Sequence, residues 1–293
     1  MRSFCFLIIV CIGSFWFGCT PQAPAGPTEP VVLKDTTIKD MAYGSNVAQK
    51  FDLGLPANRT SATSLVIVIH GGAWTTGDKN ELGFMTDGLK QRGFAVANMN
   101  YRLSPQSNDN YNMQLDDINT AIQFAFSKAL QYTFNAQKVY IVGHSAGAQL
   151  ALSYAYTRNS AGKVKAVGSL AGPTNLYSLA YYNPFPFDWQ TIMTPYLNMP
   201  LFPATAASEA RYKAASPLLQ ATTTSPPTIM FHGDADLRVP NEQSGFLSNQ
   251  LATLNVDHKY VYYSPLVGHD WWADYTRRDN TMDELKTWFN NHP

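Results

Sequence analysis

Gly143-His144-Ser145-Ala146-Gly147 has the form G-x-S-x-G. Such a pattern can hold a serine hydroxyl at a sharp strand-to-helix turn, with glycines letting the backbones pass closely. The chemistry would be nucleophilic attack, helped by a helix N-terminus that favours developing negative charge. An ordinary glycine-containing turn can carry the same letters, so the flanks matter. Residues 139–142 are an apolar run suited to a buried strand, and 146–156 read as a helix. That is the setting the motif needs.

A serine hydroxyl needs a base, and the base needs an orienting acid. Six histidines are present. His70 and His144 lie inside glycine-rich motifs, His232 ends an apolar run before Gly233, His258 precedes another, and His292 is next to the last residue. His269 remains, in the loop Leu266-Val267-Gly268-His269-Asp270-Trp271 after the last expected strand. Loops at the carboxyl ends of strands are where such sheets place functional groups. In this chain order the acid belongs between Ser145 and His269. Phe231-His232-Gly233-Asp234-Ala235-Asp236-Leu237-Arg238-Val239-Pro240 offers Asp234 and Asp236, and spacing does not choose between them. Asp188 and Asp257 are less well placed. Asp234 or Asp236 can instead be an Asx-type turn residue.

Attack on a carbonyl also needs N–H groups aimed at the oxyanion. His70-Gly71-Gly72-Ala73-Trp74 follows the apolar run 65–69 and can expose them, because little side chain covers its backbone. A tight turn that merely buries Trp74 is the competing reading.

These motifs need a scaffold. Apolar runs at 65–69, 94–99, 139–142, 164–170, 228–231 and 260–263 read as strands, with an opening pair at 31–38 and 47–55. Helical spacing appears at 115–129, 146–156, 243–254 and 283–289. Strands alternating with helices predict an α/β fold whose mainly parallel sheet is covered on both faces. Residues 177–205 interrupt the alternation with Tyr181, Tyr182, Phe185, Phe187, Trp189 and Tyr196. This segment reads as an irregular cap over a site, or as a helical excursion that packs on the body and lines nothing. Arg102 and Asp117 read as a structural pair, and Asp78-Lys79 as a fixing point for the loop after Trp74.

The chain resembles the α/β-hydrolases, in the carboxylesterase and lipase branch with an HGG motif. HGGAW-TTGDK, NYRLSP (100–105), GHSAG and HGDADLRVP are most similar to the bifunctional feruloyl and acetylxylan esterase-like group, and the resemblance runs from about residue 31 to 293. It implies an α/β-hydrolase fold with a small aromatic-rich cap at about 177–205. It also implies Ser145 as nucleophile, His269 as base and Asp236 as acid, the last selected by the D-x-x-V-P ending. The oxyanion donors would be the N–H groups of Gly72, Ala73 and Ala146. Ala73 stands where many members have a third glycine, which adds a Cβ to the turn. The implied activity is carboxylic-ester hydrolysis through an acyl-enzyme, on small acyl or carbohydrate-linked acetyl or feruloyl esters. No metal or organic cofactor is implied. An arylformamidase-like amide hydrolase shares a similar HGG-x-W motif. A surface binding protein that kept the fold without catalysis is the reading from another class.

Lys plus Arg and Asp plus Glu both number 21, and balanced charge argues against nucleic acid as a partner. No Walker loop, dinucleotide fingerprint or H-E-x-x-H zinc pattern occurs. Arg2 precedes an apolar run over 4–17, the length of a secretory h-region and short for a membrane span. Residues 1–18 are therefore expected to be a signal peptide, with an uncleaved anchor as the competing reading. All three cysteines (Cys5, Cys11, Cys19) lie within or just after this run. Gly18-Cys19 resembles a bacterial lipoprotein site with Cys19 lipidated, although Trp16 and Phe17 are bulkier than that pattern usually allows. The Pro-rich stretch 19–30 would be a tether and 31–293 the catalytic domain. The protein is expected to be exported, touching a membrane only through this lipid.

Overall fold

The computed structural model describes residues 33–182 and 186–293. The expected signal peptide 1–18, Cys19, the tether 19–30 and Phe185 lie outside the described residues. The strands are β1 (Thr36–Ala42), β2 (Lys50–Leu55), β3 (Leu65–Ile69), β4 (Ala95–Met99), β5 (Val139–His144), β6 (Val164–Leu170), β7 (Thr228–Gly233) and β8 (His258–Tyr263). The α-helices are α1 (Gly83–Gln91), α2 (Asn110–Tyr132), α3 (Ala146–Thr157), α4 (Leu176–Leu179), α5 (Trp189–Leu197), α6 (Ala206–Ala214), α7 (Pro217–Gln220), α8 (Glu242–Thr253) and α9 (Tyr275–Asn291).

The strands form one sheet in the order β1-β2-β4-β3-β5-β6-β7-β8. β1–β2 and β2–β4 pair antiparallel, and every later pairing is parallel. The uninterrupted apolar runs follow from burial on both faces. In β3, Leu65, Ile67 and Ile69 enter one core layer while Val66 and Val68 enter the other. The first layer is closed by Leu115, Ile118 and Ala121 of α2, Leu150 and Ala151 of α3, and Leu247 and Leu251 of α8. The second is closed by Met85 and Leu89 of α1 with Met282, Leu285 and Phe289 of α9. This is the α/β-hydrolase architecture.

Register sets the site. Ile69 pairs with Gly143, Gly143 with Ser169, and Leu170 with Phe231. The carboxyl ends of β3, β5, β6 and β7 therefore finish at one level. The loops carrying His70, Ser145 and Asp236 emerge side by side there.

Three element bounds differ from expectation. The first strand is Thr36–Ala42 instead of 31–38, and the second begins at Lys50 while Val47 is exposed. β1 is an edge strand with a mostly exposed surface, so apolar alternation marks it poorly. α9 starts at Tyr275 instead of Asp283, because its first two turns are polar. α1 had no helical signal, having glycines at 83 and 88 that lower propensity. The segment 177–205 is partly regular: it contains α5, N-capped by Asp188 through Thr191 N–H, and the end of α4.

Candidate active site

Ser145 sits between β5 and α3 with φ 54° and ψ −123°. A non-glycine residue there costs about 1–3 kcal/mol, and surrounding contacts must hold it. Ser145 N–H donates to Leu170 O at 2.8 Å, and Ser145 O accepts from Ala148 and Gln149. Its hydroxyl makes no capping hydrogen bond to α3. Gly147 lets the elbow approach β3, since a Cβ there would lie 2.3 Å from both the Ile69 and His70 carbonyl oxygens.

His269 Nδ1 donates to Asp236 Oδ2 at 2.6 Å. Asp236 Oδ1 accepts from the N–H groups of Arg238 and Val239 at 2.9 and 3.0 Å. Burial alone would raise the Asp236 pKa, but hydrogen bonds from His232 and His269 hold it well below the usual carboxylate range. Asp234 does something else. It accepts from Val267 N–H at 2.7 Å and Ser264 Oγ at 2.8 Å, which pins the loop that carries His269. Asp257 accepts from His292, and Asp188 caps α5, so neither approaches His269 Nδ1.

The HGGAW turn lies opposite. Gly72, Ala73 and Trp74 all have positive φ, at 101°, 49° and 61°. A Cβ on Gly72 would fall 2.1 Å from Thr76 O, so this position requires glycine. Gly72 O accepts from the N–H groups of Thr75 and Thr76. Among the described residues, no protein acceptor is paired with the N–H of Gly72, Ala73 or Ala146. Gly72, Ala73, Ser145 and His269 line one cavity of about 580 Å³. His144, Arg238, Asp270, Phe187, Trp189, Ile192 and Trp272 are among its other walls. Ala146 is buried and is not part of the lining. Segment 177–205 therefore contributes aromatic and aliphatic wall as well as packing on the body.

Four further residues support the site, and sequence gave none of them a role. His232 Nε2 donates to Asp236 Oδ2 at 3.1 Å and Val239 O at 2.9 Å. Two acceptors at Nε2 fix the proton there, so Nδ1 accepts from Ser244 Oγ at 2.8 Å. The i,i+4 spacing of His232 and Asp236 was the available signal. Gln149 is fully buried, and its Oε1 accepts from Trp74 Nε1 at 2.9 Å and Tyr196 Oη at 3.0 Å. His144 packs edge-on against Trp272, and burial with the neighbouring His269 pushes its pKa well down, leaving it neutral. His70 is buried against Tyr101, and burial lowers its pKa to about 4.

The structural pairs expected from sequence are also present. Asp117 is fully buried and accepts from Arg102 N–H at 2.8 Å, Arg102 Nε and Gln49 Nε2. Asp78 accepts from Asn80 N–H and Asn100 Nδ2, and Lys79 Nζ pairs with Asp52 at 2.8 Å. These contacts fix the chain directly after the HGGAW turn.

The BD-FAE family model matches residues 51–251, well over half the chain, including the HGGAW turn, the serine elbow and Asp236. The chain belongs to the BD-FAE family of α/β-hydrolases. It is 26% identical over 238 residues to isoprenylcysteine alpha-carbonyl methylesterase ICME of Arabidopsis thaliana, covering 77% of this chain and 55% of that protein. It is 29% identical over 169 residues to kynurenine formamidase of Danio rerio, covering 56% and 51%. The chain thus spans about half the length of these curated relatives. Among solved structures it superposes on a bifunctional GH43-CE protein of Bacteroides eggerthii with a TM-score of 0.72. That match has 21% identity and covers 87% of this chain and 38% of the other, and it shows the shared fold.

Proposed function

We propose that this BD-FAE protein is a serine carboxylic-ester hydrolase. The observation that carries the reading is the pairing of His269 with Asp236 in the wall of the cavity onto which the strained Ser145 opens. In this mechanism Ser145 Oγ attacks the ester carbonyl carbon while His269 Nε2 takes its proton. Asp236 holds the imidazole in the tautomer with hydrogen on Nδ1. The N–H groups of Gly72, Ala73 and Ala146 stabilise the oxyanion, each donor contributing on the order of 10²–10³ in rate. His269 then passes the proton to the leaving alkoxide, giving alcohol and acyl-Ser145. Water, deprotonated by the same histidine, releases the acid.

The substrate class we infer is a small acyl ester or an acetyl or feruloyl ester on carbohydrate. Phe187 and Trp272 bring half-buried aromatic side chains to the wall, which suits a sugar or phenolic ring, and about 580 Å³ accommodates an acyl group with one such ring. The CE part of the bifunctional GH43-CE protein of Bacteroides eggerthii agrees with this class. Hydrolysis of p-nitrophenyl acetate, methyl ferulate and acetylated xylan, each with Ser145→Ala as control, tests the reading. Equal rates in both proteins would refute it.

The match to a kynurenine formamidase favours a second reading, hydrolysis of an aryl formamide by the same residues. A formanilide added to the panel separates the two, since preference for the amide over every ester would select it. We also propose export with a lipid on Cys19, on the strength of the apolar run and the cysteine that follows it. Unchanged membrane association of Cys19→Ala in cell fractions would contradict this.

A further inference from the structure

We propose that His144, His269 and Asp270 form a capture site for a borderline divalent cation, Zn²⁺ above all, in the wall of the active-site cavity. One ligand atom from each lies within 4.8 Å of the others. His144 Nε2 is 3.6 Å from Asp270 Oδ1, and the two imidazole centroids are 4.7 Å apart. Zinc ligands about 2.0–2.2 Å from the metal stand roughly 3.3–3.5 Å from each other in a tetrahedron. A small inward movement of these side chains therefore completes three corners. Two imidazoles and a carboxylate are a donor set zinc accepts, and the fourth corner is left to water from the cavity.

A second observation points the same way. His144 is buried, and its Nε2 has no hydrogen-bond partner. An orphaned nitrogen of this kind costs free energy that a metal bond would recover. Asp270 is already oriented for the role. Arg238 donates to its Oδ2 at 3.0 Å, which leaves Oδ1 turned toward His144. The guanidinium charge also weakens the hold on a cation, which keeps capture reversible. His269 Nδ1 is committed to Asp236, so only Nε2 is free to ligate. That is the nitrogen assigned above to take the serine proton. Binding stands on the geometry alone; the inhibition that follows from it rests on His269 being the base.

The test is calorimetric titration of the full chain and of Asp270→Asn with zinc chloride and with magnesium chloride. Asp270 is partly exposed, so the variant keeps the fold. The expected result is one Zn²⁺ bound at micromolar concentrations and weakened by about tenfold or more in Asp270→Asn. Mg²⁺, which prefers oxygen ligands, gives no heat. Zn²⁺ should also slow p-nitrophenyl acetate hydrolysis, with activity restored by a chelator. Absence of binding would overturn the proposal. So would equal Zn²⁺ affinity in both proteins, because the metal would then sit on the cysteines or on surface histidines. Asp270-dependent binding in a protein that hydrolyses nothing would uphold the site while counting against the esterase reading.

Discussion

Trp74 and Tyr196 stack face to face, with ring centroids 4.4 Å apart and planes 4° from parallel. Both donate to the same atom, Gln149 Oε1. The HGGAW turn, the helix behind the serine elbow and α5 of the cap are thereby locked together. Gln149 Nε2 completes the network by donating to Ser153 Oγ at 3.0 Å and Ala215 O at 2.9 Å. Gln149→Leu would orphan Trp74 Nε1, Tyr196 Oη and Ala215 O, each at roughly 1–3 kcal/mol. The expected loss is about 3 kcal/mol or more in urea unfolding. Tyr196→Phe removes one hydrogen bond and should lose only about 1 kcal/mol. Equal stability of Gln149→Leu and the native protein would show that the network is not a structural lock.

Asp236 couples stability to pH. Its pKa is depressed in the folded state, so its stabilisation is fully present above the ordinary unfolded value of about 4. It is lost progressively as pH falls below that value. Asp236→Asn cannot titrate, so its unfolding free energy should fall less steeply than that of the native protein on acidification below about pH 4. Denaturant midpoints measured through this range decide the matter, and parallel slopes would remove Asp236 from the account. The same variant should lose about 10⁴-fold in kcat, since the imidazole tautomer is no longer held.

His232 acts through Asp236 and is a positioning residue. His232→Ala should lower kcat/KM by up to about 10²-fold through misplacement of the carboxylate, with KM little changed. The acid-side loss of stability carried by Asp236 should be smaller, because Asp236 loses one of the hydrogen bonds that hold its pKa down. His232→Gln, which keeps an N–H donor, should recover part of the rate. A variant that loses stability but keeps its rate would make His232 purely structural.

Ala73 carries a Cβ at φ 49° in the turn that offers the oxyanion donors. A left-handed L-residue costs about 1–2 kcal/mol, and the freedom of glycine in the unfolded chain returns about 0.5–1 kcal/mol of that on substitution. Ala73→Gly should therefore gain up to about 1 kcal/mol and keep its activity. A fall in thermal midpoint would mean that the packing of the Cβ outweighs the backbone strain.

The legible parts of this chain were those under the strongest local constraint. Strands buried on both faces, such as Leu65–Ile69, leave continuous apolar runs, and the elbow needs glycine at 147 where a Cβ meets two carbonyls. The edge strand Thr36–Ala42 was misplaced because half of its surface faces solvent. Spacing could not separate Asp234 from Asp236, since both follow β7 within one turn. The difference lies in partners from the loop after β8: Val267 N–H and Ser264 Oγ for one, His269 for the other. His232 and Gln149 were missed for a related reason. Each is a polar residue in an apolar stretch, and its role exists only through residues distant in sequence.

The most direct test of the central claim is rapid-quench mass spectrometry during turnover of p-nitrophenyl acetate. The account predicts a burst of p-nitrophenol and an acetyl group on the peptide containing Ser145, absent in Ser145→Ala, which retains only background hydrolysis. Acetyl on another residue, or full activity in Ser145→Ala, would contradict it.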